Sequence, residues 1–114
     1  MGNVSLEEKV NQLSFQMELL LGLVDWSSRP FEYEVIKANL TKEEVADFYK
    51  LLDEINNQQN EQRRYGLSSV EPLLVSFVGM LHPSLDPGVI LAACVKQGIA
   101  LEITEPLYAH VKLL

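Results

Sequence analysis

Apolar residues near the start of the chain recur at alternating steps of four and three, from Leu6 to Val24. These steps mark the a and d positions of nearly three heptads and predict an amphipathic helix with one apolar seam. Ser5 and Glu8 fit a capping box at its start. From Phe15 onward the neighbouring faces are apolar too, so the helix is expected to be covered on more than one side. The seam consists of Leu6, Val10, Leu13, Met17, Leu20 and Val24.

A break rich in turn-forming residues follows at 25–30, and Pro30 suits the first position of a short helical segment over 31–39. In that segment Phe31, Val35 and Ile36 are expected to face inward, with Leu40 closing the turn.

A second capping box, Thr41 with Glu44, opens a long helix whose apolar positions advance by three, four and three. Its inward residues are Val45, Phe48, Leu52 and Ile55. The polar run at 56–64 is either a frayed, solvated helical end or a polar interface. Gly66 is expected to stop the helix.

Two apolar helices are predicted in the next stretch. A third capping box, at 68–71, precedes Pro72 and an apolar segment that ends at 82–83. Asp86 then caps a helix with Pro87 in its first position. Its core side holds Ile90, Leu91, Ala93, Cys94 and Val95.

Gly98 is expected to end that helix, with Ile99 folding back onto it. The last segment, 100–114, is predicted to be helical, and Pro106 implies either a kink or a late start at Thr104. No stretch alternates like a strand, and no hairpin turn is present. The chain is therefore predicted to be all-α, a single multihelical domain of five or six helices over 1–114.

Charge and composition narrow the class of protein. The 114 residues carry 16 acidic and 9 basic side chains, a formal net charge of -7. An acidic chain whose only adjacent cations are Arg63 and Arg64 is not expected to bind nucleic acid. No apolar run is long enough for a membrane span, and no secretory signal is visible. With one cysteine, and hence no internal disulfide, a cytoplasmic location is expected.

The candidate chemical groups do not form a motif. His82, His110 and Cys94 lie in three different segments, without the spacing of a metal site. His82 is expected to cap its helix, His110 to lie at the surface, and Cys94 to be a packed core thiol. The carboxylate pairs at 7–8 and 43–44 complement helix dipoles, and the pair at 53–54 is expected in solvent. No phosphate loop or nucleophile motif occurs, so no enzyme activity, cofactor or metal is expected.

Six short segments of the chain occur in an order that is known from one protein family, namely 29–31, 40–44, 53–55, 65–67, 85–86 and 97–99. Their order resembles the YhaI-like family of small uncharacterised proteins of Bacillus-type Gram-positive bacteria. The resemblance runs from the first helix to about Val111, and its motifs are mostly caps, stops and core positions. It implies an all-helical, intertwined homo-oligomer, a trimer, with a continuous last helix, and no established activity.

The leading hypothesis from the sequence is a non-enzymatic interaction module that forms a homo-oligomer through its first helix, with the long helix after Thr41 as an additional candidate surface. One alternative is a regulatory adaptor that binds another protein. A further alternative is a small-ligand binder with a pocket at a subunit interface. The monomer, with the first helix packed on its own domain, is the competing structural interpretation of the seam.

Overall fold

The computed structural model describes residues 5–113, and within them the chain is a single all-α domain, as predicted. Six α-helices follow one another, with a short 3-10 turn at Trp26–Ser28 after the first. They are α1 (Leu6–Leu21), α2 (Pro30–Lys37), α3 (Lys42–Arg64), α4 (Val70–Met80), α5 (Pro87–Gln97) and α6 (Leu101–Val111).

The first helix ends earlier than the heptad steps predict. It stops at Leu21, so Val24 lies beyond the helix and is not a helical member of the seam. Two causes act at this end: Gly22 is a poor helix former, and the Trp26 indole N–H donates to the Leu21 carbonyl at 2.8 Å. In a continued helix the Leu21 carbonyl would accept from the Asp25 amide instead.

Pro30 occupies the first turn of α2, as predicted, and Phe31 is buried. The Phe31 amide donates to the side-chain carbonyl of Gln97, a partner 66 residues away. The prediction for Ile36 is wrong, because it is 40% exposed. Within this short helix only the side that holds Phe31 and Val35 meets the core.

The capping box at Thr41 and Glu44 is confirmed in both directions. Phe48, Leu52 and Ile55 are buried along α3 as the spacing predicts, while Val45 packs at the edge of the core. The polar run after them is helical as far as Arg64, and it is not only a solvated end.

The capping box predicted at 68–71 does not form. The N-cap of α4 is Ser69, one residue later, and its side chain makes no capping hydrogen bond. Pro72 occupies the third helical position, and because proline has no amide hydrogen, it cannot donate to a capping side chain.

Both ends of α5 are formed by the capping residues that the sequence predicts. Asp86 accepts from the Val89 amide at 3.0 Å, and Gly98 adopts a left-handed conformation with φ 73°. Ile99 folds back, donating its amide to the Cys94 carbonyl at 2.9 Å.

The last helix starts at Leu101 and runs through Pro106, so the late start at Thr104 is wrong. Thr104 is fully buried, and its hydroxyl donates to the carbonyls of Ile99 and Ala100 at the start of the helix. This side chain therefore reinforces the turn that precedes the proline.

The core lies among α2 to α6 and the α4–α5 connection, and α1 contributes no buried residue to it. The radius of gyration is 18.0 Å, whereas a compact chain of this length has about 13 Å. The longest dimension is 68 Å against 25 and 21 Å for the others. The first helix therefore projects from a body made by the other five. The core side chains are Phe31, Phe48, Leu51, Leu52, Ile55, Leu73, Leu74, Phe77, Leu81, Leu85, Ile90, Leu91, Ala93, Cys94, Ile103 and Leu107.

Candidate functional site

The projecting helix α1 is the element that packs against no core residue among residues 5–113. Every predicted seam residue is exposed, from 45% for Val24 to 81% for Leu6. The helical members of the seam share one side of α1, because steps of four and three return to the same face. The structure thus brings five of the six predicted residues onto one face, and leaves Val24 in the connection that follows.

Trp26, the single tryptophan, connects the C-terminal end of α1 to the body. Besides its hydrogen bond to Leu21, the Trp26 ring lies 5.8 Å from the ring of Tyr33 in α2, centroid to centroid. Asp25 caps the intervening turn, accepting from the Ser27 amide and hydroxyl at 3.0 and 2.6 Å. These two bonds hold the pKa of the Asp25 carboxyl below its usual value. The attachment point is therefore ordered even though the helix beyond it is uncovered.

A second uncovered apolar surface lies between α4 and α6. Here an open groove of about 460 Å³ is lined by Leu74, Val75, Val78 and Gly79, with Glu71 and His110 as its polar members. Val75 is 66% exposed and Val78 is 46% exposed. The sequence places both in an apolar helix but does not show that they face outward, since α4 is apolar on nearly every side. His110 is half-buried at this groove, and the expectation of a surface position was only partly right.

His82 does not cap its own helix. Its Nε2 lies 2.6 Å from Oε2 of Glu44, and its Nδ1 accepts from the Ser84 amide at 3.0 Å. Since Nδ1 is an acceptor, the proton of the neutral ring is on Nε2 and is donated to Glu44. The ring joins the start of α3 to the α4–α5 connection, beside a cavity of about 200 Å³.

This arrangement is a structural bridge, because both ring nitrogens are occupied by protein groups. A general base needs a nitrogen within reach of a substrate proton. The bond partners are 38 residues apart in sequence, which is why local spacing did not reveal them.

The Glu44 carboxyl has a lowered pKa because the Thr41 amide, first, and the His82 ring, second, donate to it. A lowered folded-state pKa stabilises the fold above the normal Glu range, and that stabilisation is lost as the pH falls through the lowered pKa. Glu44→Gln is therefore expected to be less stable than the natural chain at pH 7, with the difference shrinking toward acid. Chemical denaturation at a series of pH values measures it.

The matched control for this prediction is Glu43→Gln, one residue away in the same first turn, for which no side-chain hydrogen bond occurs among residues 5–113. Its stability is expected to run parallel to that of the natural chain across the series. A constant difference between Glu44→Gln and the natural chain at every pH would contradict the assigned role of Glu44.

Cys94 is a core thiol, as predicted. It is fully buried, and burial raises its pKa to about 12. A thiol so far from ionisation is a poor nucleophile at neutral pH.

Gln59 lies on the buried side of α3, as expected from the three-and-four spacing that extends from the apolar residues into the polar run. It is 8% exposed, and its Oε1 has no hydrogen-bond partner among the described protein atoms. It lines a small cavity of about 60 Å³ together with Arg63, Ser68 and Ser69. The spacing predicts the direction in which Gln59 points, but it does not predict that its side-chain carbonyl is buried without a partner.

Between residues 5 and 113, no three or more His, Cys, Asp or Glu side chains are grouped closely enough to hold a metal ion. None of the helices in this part of the chain combines the length and the apolar character required to cross a bilayer.

Fold and site together define a small all-helical domain with one uncovered apolar helix. Residues 4–112 match the model of a family described as "Protein of unknown function (DUF1878)", and the chain belongs to that family. The resemblance to a family of uncharacterised function, predicted from the order of caps and stops, is confirmed to this extent.

Proposed function

We propose that this protein is a non-enzymatic interaction module whose copies form a homo-oligomer through the seam of α1. The observation that carries the proposal is that a helix with a heptad seam projects from the body with no residue buried. An isolated helix of 16 residues is only marginally stable in water, since most helical stability in proteins comes from packing of an apolar face. A partner helix on the seam supplies that packing.

The chemistry of the seam favours a second copy over an unrelated partner. Alternating a and d positions fit into the spaces between side chains of a facing helix with the same spacing. A second copy provides that spacing without a further gene product, and most soluble oligomers are built from identical chains.

The non-enzymatic part of the proposal is supported by the buried thiol of Cys94 and by the fully hydrogen-bonded ring of His82. The resemblance to the YhaI-like family adds an intertwined trimer and a Bacillus-type source to the proposal. The single cysteine, which cannot form an internal disulfide, supports a cytoplasmic setting.

Hydrogen exchange of the α1 amides tests the proposal at the level of the segment. In the single chain these amides belong to an unpacked helix and are expected to exchange quickly. At concentrations where the protein associates, amides of the 6–21 segment are expected to become protected, and dilution is expected to remove that protection. Peptides from the core of α5 serve as the internal control, because they are buried at both concentrations.

Two other outcomes of the hydrogen-exchange experiment would contradict association through α1. An associated protein whose α1 amides still exchange quickly would contradict the proposal, because the interface would lie elsewhere. A protein that stays monomeric, with protection of α1 appearing only after addition of cell extract, would replace it with an adaptor for another protein.

A further inference from the structure

A second apolar patch lies on the side of α1 away from the seam. With the seam at positions a and d, Phe15 falls at position f and Leu19 at position c of the heptad. These are outward positions, which a coiled coil leaves in solvent. Phe15 is 58% exposed and Leu19 is 54% exposed in the chain. Pairing of seams leaves both of them uncovered.

The small size of the seam also indicates that it is not the whole interface. Five seam side chains lie on α1, whereas a stable interface uses about 20–30 residues a side and buries about 800 Å² per partner. Phe15 and Leu19 are exposed apolar side chains on the other side of the same helix. An oligomer that uses both sides of α1 therefore buries more apolar area than one that pairs the seams alone.

The groove between α4 and α6 is the complementary surface on the body. The exposed side chains of Val75 and Val78 line it, together with Gly79. A Cβ added at Gly79 would meet nothing within 4 Å, so packing within the chain does not require glycine there. Glycine weakens a helix relative to alanine, and it permits another chain to approach the backbone closely.

The occupant cannot be the helix α1 of the same chain in the conformation observed. None of the residues of α1 belongs to the core or to the partly buried side chains that pack against it. A second copy brings the two uncovered apolar surfaces of this chain together, and a large aromatic ring suits the space beside a glycine.

We infer that α1 of one copy seats Phe15 and Leu19 in the α4–α6 groove of a second copy, beside Gly79. The inference deepens the proposed function and rests on it: the seam joins helices α1, while the outer patch docks each helix onto a neighbouring body.

Cross-linking between differently tagged copies tests this contact. One copy carries Phe15→Cys, the other carries Val78→Cys, and the two are mixed, refolded together and treated with a short bis-maleimide. The natural Cys94 is buried and is not expected to react. A cross-linked pair carrying both tags is the expected product, and the tags exclude a link within one chain.

The matched control is Val10→Cys in place of Phe15→Cys, since Val10 lies in the seam on the other side of the same helix. It is expected to link to Val78→Cys several-fold less. In addition, Gly79→Trp is expected to remove the Phe15–Val78 link, while the open space at Gly79 lets the body keep its circular dichroism.

The mass of the natural protein distinguishes a failure of the groove contact alone from a failure of self-association. An oligomer with no Phe15–Val78 link, or with equal links from Val10 and Phe15, would overturn the groove contact and leave the seam in place. A monomer without the link would overturn both, and a specific link that Gly79→Trp removes would support the contact.

Discussion

Replacing Leu13 and Leu20 together by aspartate is expected to convert the assembly into single chains with a mass near 12.9 kDa. Both side chains lie in the seam and are more than half exposed in the chain, at 56% and 61%. Each substitution would bury an unpaired carboxylate between helices, which costs several kcal/mol, and the body would not be affected. Light scattering after gel filtration measures the mass, and circular dichroism reports whether the body remains helical.

The matched control for the seam is a pair of single substitutions. Leu13→Asp and Asn11→Asp add the same charge two residues apart, and the helical repeat places them on nearly opposite faces of α1. Only the first is expected to weaken association. A double aspartate variant that keeps the mass of the natural protein, or an Asn11→Asp variant that loses it, would contradict the role of the seam.

Phe77→Ala is expected to destabilise the body by about 3–5 kcal/mol, the usual cost of removing a buried phenylalanine. Phe77 is fully buried in α4, and its ring lies 6.4 Å from that of Phe48 in α3, centroid to centroid. Its loss leaves a cavity where α3 and α4 meet. Since domains are stable by only about 5–15 kcal/mol, the variant is expected to be partly unfolded at moderate temperature. Urea denaturation measures the change in the free energy of unfolding.

Tyr65→Ala is the comparison for the core prediction, because Tyr65 is 72% exposed. Removing this aromatic ring is expected to change the free energy of unfolding by less than about 0.5 kcal/mol, as for most surface substitutions. Equal losses for Phe77→Ala and Tyr65→Ala would show that the body does not depend on the core described.

The sequence predicts the helices of the body well where local signals decide them. Thr41, Asp86 and Gly98 act within a few residues of themselves, through a cap or a stop. The heptad steps likewise predict a helix over most of α1. Such features need no knowledge of the rest of the fold.

Contacts between distant segments explain most of what the sequence did not predict. The environment of His82 depends on Glu44, 38 residues away, and the Phe31 amide bonds to Gln97, 66 residues away. The exposure of Ile36 and Val78 depends on which side of an apolar helix meets the body. Periodicity identifies apolar positions, but it does not distinguish a face packed in the chain from a face left for a partner.

The candidate site was predicted in part. The seam was identified from its spacing, and the structure shows that it is uncovered within the chain, apart from placing Val24 beyond the helix. The outer patch at Phe15 was visible only as a widening of the apolar pattern, and the groove beside Gly79 was not predicted at all. A groove between α4 and α6 joins residues about 30 positions apart, such as Val78 and His110.

The solution mass at two concentrations, by light scattering after gel filtration, distinguishes an oligomer joined through α1 from a single chain. A mass that is a stable multiple of 12.9 kDa is the result expected if copies associate through α1. A mass of 12.9 kDa at both concentrations would contradict self-association and would leave the seam of α1 as a surface for a different protein.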